Sequence, residues 1–200
     1  MSLQVTNGAL PNVFHFDSKA KVDEHIKSIG LPASFFNAGF FMSNFPTGFV
    51  FRKDPSIGGY AMHVPIPASS PLPMFDTRDT GKFVRGMVQK DTPGQRVLAA
   101  TGYYTIAEVI DAFKKVYPEE GSKARHIQLT EDQYTDMLET QAHFPPHVAL
   151  ELKENMLLLD RFGYFNGESL DDSIAVAGGI DNLTTPEQHF RDAPQFKDLR

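Results

Sequence analysis

The stretch Ala33-Ser34-Phe35-Phe36-Asn37-Ala38-Gly39-Phe40-Phe41 decides the fold. It is apolar nearly throughout, too short for a long helix, and broken by a glycine. Strands of a parallel sheet read this way, because both of their faces are buried and neither needs alternating polarity. The reading is a buried strand that leaves the sheet at Gly39. Just before it, Ala20, Val22, Ile26 and Ile29 recur at helical spacing over residues 17–29. Gly30-Leu31-Pro32 then stops the helix, since glycine accepts the capping geometry and proline resists continuation. A helix feeding a buried strand is the basic unit of an α/β protein.

Outward from this unit the alternation continues. Residues 49–51 and 60–66 read as short strands around a turn-rich KDPSIGG, and the prolines of PIPASSPLP keep it extended or looped. A helix is predicted over residues 76–89 with Phe83, Val84, Met87 and Val88 inward, followed by a strand in RVLAATG that ends at Gly102. Thr105 with Glu108 and Thr130 with Gln133 fit capping boxes, which start two helices on either side of a strand in ARHIQLT. Past His143 the chain reads as mostly helical, through VALELKENMLLL to a polar tail containing LTTPEQHF.

Composition narrows the function. A hydrophobic share of 41% with 17 phenylalanines supplies a core for one domain of 200 residues. A net charge of −6 argues against direct nucleic-acid binding, which calls for a basic face. No apolar window is long enough for a membrane span, and the first residues lack the pattern of a secretory signal. Zero cysteines exclude disulfides, thiolate metal sites and a cysteine nucleophile. His143 and His147 are four apart, but Pro145 and Pro146 separate them, so no metal site is expected. No GxGxxG, GxSxG, HExxH or phosphate loop occurs, and GGIDN at Gly178 has no strand–turn–helix around it. The expected protein is soluble and located in the cytoplasm or nucleus.

One constellation stands out. His15 and Lys19 lie four apart at the head of the first helix and face the same side. Phe41-Met42-Ser43-Asn44 follow the buried strand, where ligands sit in open α/β sheets. The plain alternative is a solvated lysine beside core aromatics.

HFDSK with VDEHIKSIGLP, then FFNAGFFMSNF, resembles the back portion of the NmrA-like family of atypical short-chain dehydrogenases. PMFDTRDTGKFV, RVLAATGYYTIAEVIDAFKKV and LTTPEQHF add to the likeness, which runs from about Asn7 to the end. The resemblance implies a partial Rossmann-like α/β fold that lacks the glycine-loop strands, with a small α+β substrate lobe. It implies a single domain over residues 1–200, with Rossmann-derived parts at about 13–45 and 76–102 and the lobe at about 46–75 and 103–200.

It further implies NADP or NAD as cofactor, with Lys19 on the nicotinamide ribose and Phe41, Met42, Ser43 and Asn44 beside the nicotinamide. His15 stands where ordinary reductases place a catalytic tyrosine, so His15 and Lys19 are the catalytic candidates. Phe40, Phe45, Tyr60 and His63 are the candidates for the substrate pocket. Without a glycine loop, cofactor binding is expected to be weak or absent. Three functions follow: a redox-sensing regulator of the kind typified by the fungal nitrogen-metabolite repressor, a reductase of the isoflavone-reductase kind, or a truncated non-catalytic interaction module. The expected partners are a protein such as a transcription factor, or a second copy. Asn37-Ala38 departs from the Arg-Pro that often precedes the family's GFF motif.

Overall fold

A computed structural model describes residues 5–45, 50–194 and 196. Helix α1 (Phe14–Ser28) ends as the GLP stop requires: Gly30 adopts φ 69° and its N–H reaches the Lys27 carbonyl. After it come β1 (Phe35–Ala38) and β2 (Phe40–Phe41), then β3 (Phe51–Asp54), β4 (Gly59–Val64) and β5 (Pro71–Phe75). Helix α2 (Thr80–Lys90) leads to β6 (Arg96–Ala99), β7 (Gly102–Thr105), α3 (Ile106–Val116) and β8 (Arg125–Gln128). Four α-helices follow among the described residues: α4 (Glu131–Thr140), α5 (Pro146–Arg161), α6 (Asp171–Val176) and α7 (Pro186–Asp192).

The predicted strand is β1, paired in parallel with β6, but each of its four residues is half-buried, and β6 is the buried member of the pair. Phe36, Ala38, Val97 and Ala99 pack with Phe83 of α2 and Ala177 and Leu183 beyond α6, while Leu98 and Ala100 pack on Phe165 and Leu170. At Gly39 the chain steps from β6 onto β5, so that β2 pairs with β5 in parallel and β5 pairs with β7 antiparallel. The third sheet joins the β3–β4 hairpin to β8. The main core lies between these last two sheets and helices α3, α4, α5 and α7, with Phe113, Leu138 and Met42 fully buried.

Three expectations are corrected. The residue 76–89 segment turns into α2 only at Thr80, after a tight 3₁₀ turn over Thr77–Asp79. Val84 and Val88 do not face inward; they are 43% and 71% exposed, while Phe83 is fully buried. The close approach of α6 sets this rotation: a Cβ on Gly86 would sit 1.8 Å from the Val176 carbonyl oxygen. The RVLAATG strand ends at Ala99, and Gly102 opens a new strand, β7, which turns the chain onto β5. Both predicted capping boxes are formed, and a third, Thr185 with Gln188, starts α7.

Candidate functional site

The head of α1 has no side-chain cap of its own. One of its free backbone N–H groups, and the residue just before its N-cap, are held instead by two carboxylates one turn apart on α5. His15 N–H donates to Glu151 Oε1 at 2.6 Å, and the His15 ring Nδ1 touches the same oxygen. Asn12 N–H and Nδ2 donate to the two oxygens of Glu154 at 2.6 and 2.7 Å. Glu151 and Glu154 are both buried, and negative charge at a helix N-terminus is favoured by the aligned peptide dipoles. Lys19, one turn along, is exposed. The Glu154→Ala variant removes two charge-assisted hydrogen bonds and is expected to cost about 2–3 kcal/mol. Faster amide hydrogen exchange across residues 14–28 than across α5 would identify α1 as the element released.

The second part of the site is where β2 and β5 end side by side, Phe41 opposite Phe75. The residues after β2 form a 3₁₀ turn, Met42–Asn44, that divides them by depth. Met42, Phe45 and Phe40 are buried in the main core, whereas Phe41 is 41% exposed and Ser43 is exposed. Phe41 rests on Phe75 with ring centroids 5.9 Å apart. Phe16 of α1 packs on Tyr164, whose hydroxyl donates to the Ala38 carbonyl, so α1 is anchored against the same end of β1.

Just after β5, Asp76 is almost fully buried and gathers four contacts. Its Oδ1 accepts from Arg78 N–H and Nε at 2.9 Å each, and its Oδ2 lies 2.7 Å from both Arg78 Nη2 and His189 Nδ1. Burial alone would raise the Asp76 carboxyl; the hydrogen bonds from His189 and then Arg78 overcome this and hold it well below the usual carboxylate range. Asp79 completes the clamp by accepting from Thr184 N–H at 2.7 Å and pairing with Lys82 at 2.7 Å. The stretches DTRDTG and LTTPEQHF are therefore two sides of one polar joint. Sequence reading singled out both as motifs but not as partners, because 113 residues separate Asp76 from His189.

The remaining predicted residues lie apart. Tyr60 packs on Phe51 and Phe113, and burial pushes its hydroxyl up. His63 lines a cleft of about 590 Å³ between the β3–β4 hairpin and α4, together with Arg52, Asp54, Gln133, Asp136 and Gln141. There His63 Nε2 lies 3.1 Å from Asp54 Oδ2, and burial first, then the charge of Arg52, pushes the imidazole down. Phe40, Phe45 and Tyr60 do not line this cleft. His143 sits outside α5 with φ 57° while His147 is inside its first turn, and no cluster of three metal-ligating side chains occurs among the described residues.

The model of the NmrA-like family matches residues 2–188. The chain belongs to the NmrA-like family. Solved structures agree on the fold. NmrA, described as a negative transcriptional regulator, superposes with a TM-score of 0.66 at 16% identity, covering 86% of this chain and 55% of that one. The NmrA complex with NADP gives a TM-score of 0.65 at 17% identity. A nucleoside-diphosphate-sugar epimerase from Staphylococcus aureus gives 0.66 at 13% identity, with 57% of that chain covered. The chain thus spans little more than half the length of these structures.

For an NmrA-like protein the question is which half of a dinucleotide the residues fit. A pyrophosphate needs a glycine turn that opens to a helix N-terminus and lets backbone N–H groups approach the phosphates. Gly39 follows a parallel strand, but a Cβ there would meet Pro73 O at 2.3 Å and Ala99 O at 3.1 Å, so backbone already fills that space. Lys19, Ser43 and the Phe41 ring are exposed. No helix among the described residues is long and apolar enough to cross a membrane.

Proposed function

We propose that this chain is an NAD(P)-responsive regulatory protein, weak in cofactor binding and not an active reductase. The observation that supports this reading is the engagement of His15 by Glu151. A reductase needs, at that position, a free phenol whose proton a neighbouring lysine helps to release. Here the imidazole, although its side chain is 67% exposed, touches a carboxylate on α5 through Nδ1. Lys19 and Ser43 are left to orient the nicotinamide ribose through donated hydrogen bonds, with Phe41 and the backbone of Met42 and Asn44 beside the ring. The bound dinucleotide would supply the redox state that is sensed, NADP or NAD alike. The output is a protein–protein contact, for which a transcription factor in the cytoplasm or nucleus is the partner class, without direct nucleic-acid contact.

Calorimetric titration with NADPH and NADH tests the reading. The expected result is saturable binding with Kd of about 1 mM, worth about 4 kcal/mol, weakened by Lys19→Ala. NADPH should not be consumed when enones or aldehydes are added. Folded protein that gives no heat up to several times that concentration overturns the nucleotide reading in favour of an interaction module. Lys19-dependent turnover overturns the regulatory reading in favour of a reductase of the isoflavone-reductase kind.

A further inference from the structure

Among the described residues, Arg52 is the one arginine that is not exposed. Arg78, Arg96, Arg161 and Arg191 are exposed, and each pairs with a carboxylate. Arg52 pairs with none among the described residues; its partner is the Gln141 side chain, whose Oε1 accepts from Nη2 at 2.7 Å. A guanidinium drawn partly out of water without an anion costs free energy, and its planar fork keeps further N–H donors to offer. The nearest candidate in sequence is already engaged. Asp54 Oδ1 accepts from Ser56 N–H at 2.9 Å and from Ser56 Oγ at 2.6 Å, and Asp54 Oδ2 lies 3.1 Å from His63 Nε2.

Arg52 stands in the wall of the cleft of about 590 Å³ between the third sheet and α4, a volume within the usual range of small-molecule sites. Its lining is confined to residues 52–63 and 129–141, so no part of the β1–β6 pair borders it. Phe51 enters the main core, so by strand alternation Arg52 and Asp54 project from the other face of the sheet. Gln133, Met137 and Gln141 recur at four-residue spacing and bring one flank of α4 and its C-cap opposite them. Two cations, Arg52 and Lys53, balance two carboxylates, Asp54 and Asp136, in this lining. Lys53 is turned toward Glu120 at 3.6 Å, and burial and the Arg52 charge push the His63 imidazole down, so the guanidinium is the cation left to the cleft. Leu129 and Met137 add apolar surface.

We infer that this cleft binds a small organic carboxylate, with its oxygens on the Arg52 fork and the Gln141 amide and its apolar body on Leu129 and Met137. A planar carboxylate matches a planar guanidinium through parallel hydrogen bonds, and the pairing supplies the anion that Arg52 lacks. Gln141 gives its oxygen to Arg52 and keeps its NH₂ group for the ligand. The charge on the ligand is single, because Asp54 and Asp136 border the same space and repel a doubly charged phosphate more strongly. The cleft shares no residue with the site at α1 and β2, and the inference does not rest on the nucleotide reading.

Calorimetric titration of the 200-residue chain with phenylacetate, acetate and inorganic phosphate tests this. Phenylacetate is expected to saturate with Kd of about 1 mM or below. Acetate and phosphate should bind at least about tenfold more weakly, the first for want of apolar contact and the second for its charge. Arg52→Gln should keep the native circular dichroism and weaken phenylacetate at least about tenfold, while Arg52→Lys, which restores the charge without the fork, recovers only part of the loss. Arg125→Gln, at an exposed arginine outside the cleft, should bind as the native chain does. The Met137 methyl resonance should shift as phenylacetate is added. Folded protein that gives no heat with phenylacetate up to about 10 mM overturns the proposal. So does phosphate bound as tightly as phenylacetate, or phenylacetate binding indifferent to Arg52→Gln.

Discussion

Asp76→Ala is expected to lower the thermal midpoint by about 6–12 °C, corresponding to about 3 kcal/mol for a chain of this size. The carboxylate is the hub of the joint between β5 and α7. Without it, buried His189 loses the hydrogen bond at Nδ1 and is left with no partner on either ring nitrogen among the described residues. Arg78 loses its bidentate partner but reaches solvent, so the imidazole bears most of the cost. Asp76→Asn keeps the shape and one acceptor and should lose about half as much. The pH dependence follows from the direction of the shift. A carboxyl held below its usual range contributes stability that is fully present above the unfolded value of about 4, and that is lost as pH falls through the folded value. The gap in stability between native protein and Asp76→Asn should therefore be widest near pH 7 and narrow steadily below about pH 4. Urea titrations at pH 7 and pH 3 measure it.

Gly39→Ala is expected to be still more damaging, at more than about 3 kcal/mol, with most of the protein lost to aggregation. A methyl group there would enter the Pro73 carbonyl at 2.3 Å and the Ala99 carbonyl at 3.1 Å. Both neighbours are backbone in or beside paired strands, so neither moves without breaking a ladder. This is the crossing point between the two sheets, and Phe41, Ser43 and Asn44 follow directly from it. Recovery of the variant in soluble form with a melting temperature near that of the native chain would show that the crossing has room that the geometry denies.

Local sequence carried much of this description. The GLP stop placed the end of α1, the apolar run placed β1, and two Thr-x-x-Glu/Gln patterns placed the starts of α3 and α4. Each is decided by residues within a few positions of one another, where capping hydrogen bonds and backbone preference act directly. The same logic fails where an element's role depends on what arrives later in the chain. Val84 and Val88 look like core residues on a helical wheel, but Gly86 lets α6 come close and turns their flank outward. The sequence reading ends the RVLAATG strand at Gly102, because nothing local announces that Gly102–Thr105 will form a new strand paired with Pro71–Met74.

For the candidate site the division is the same. Its residue types are written in the chain: His15 and Lys19 on one helix face, and FMSN after a glycine. What they do is set by partners far away in sequence. Glu151, 136 residues beyond His15, takes the imidazole and caps the helix; the turn after β2 buries Met42 and Phe45 while leaving Phe41 and Ser43 open. The sequence alone determined the family, the elements and the chemistry on offer, because those rest on short-range hydrogen bonding and on apolar pattern. Only the tertiary structure decided which carboxylates hold α1 and which motifs form the joint at Asp76. Those are fixed by packing between elements, and a linear sequence does not state which of its segments will touch.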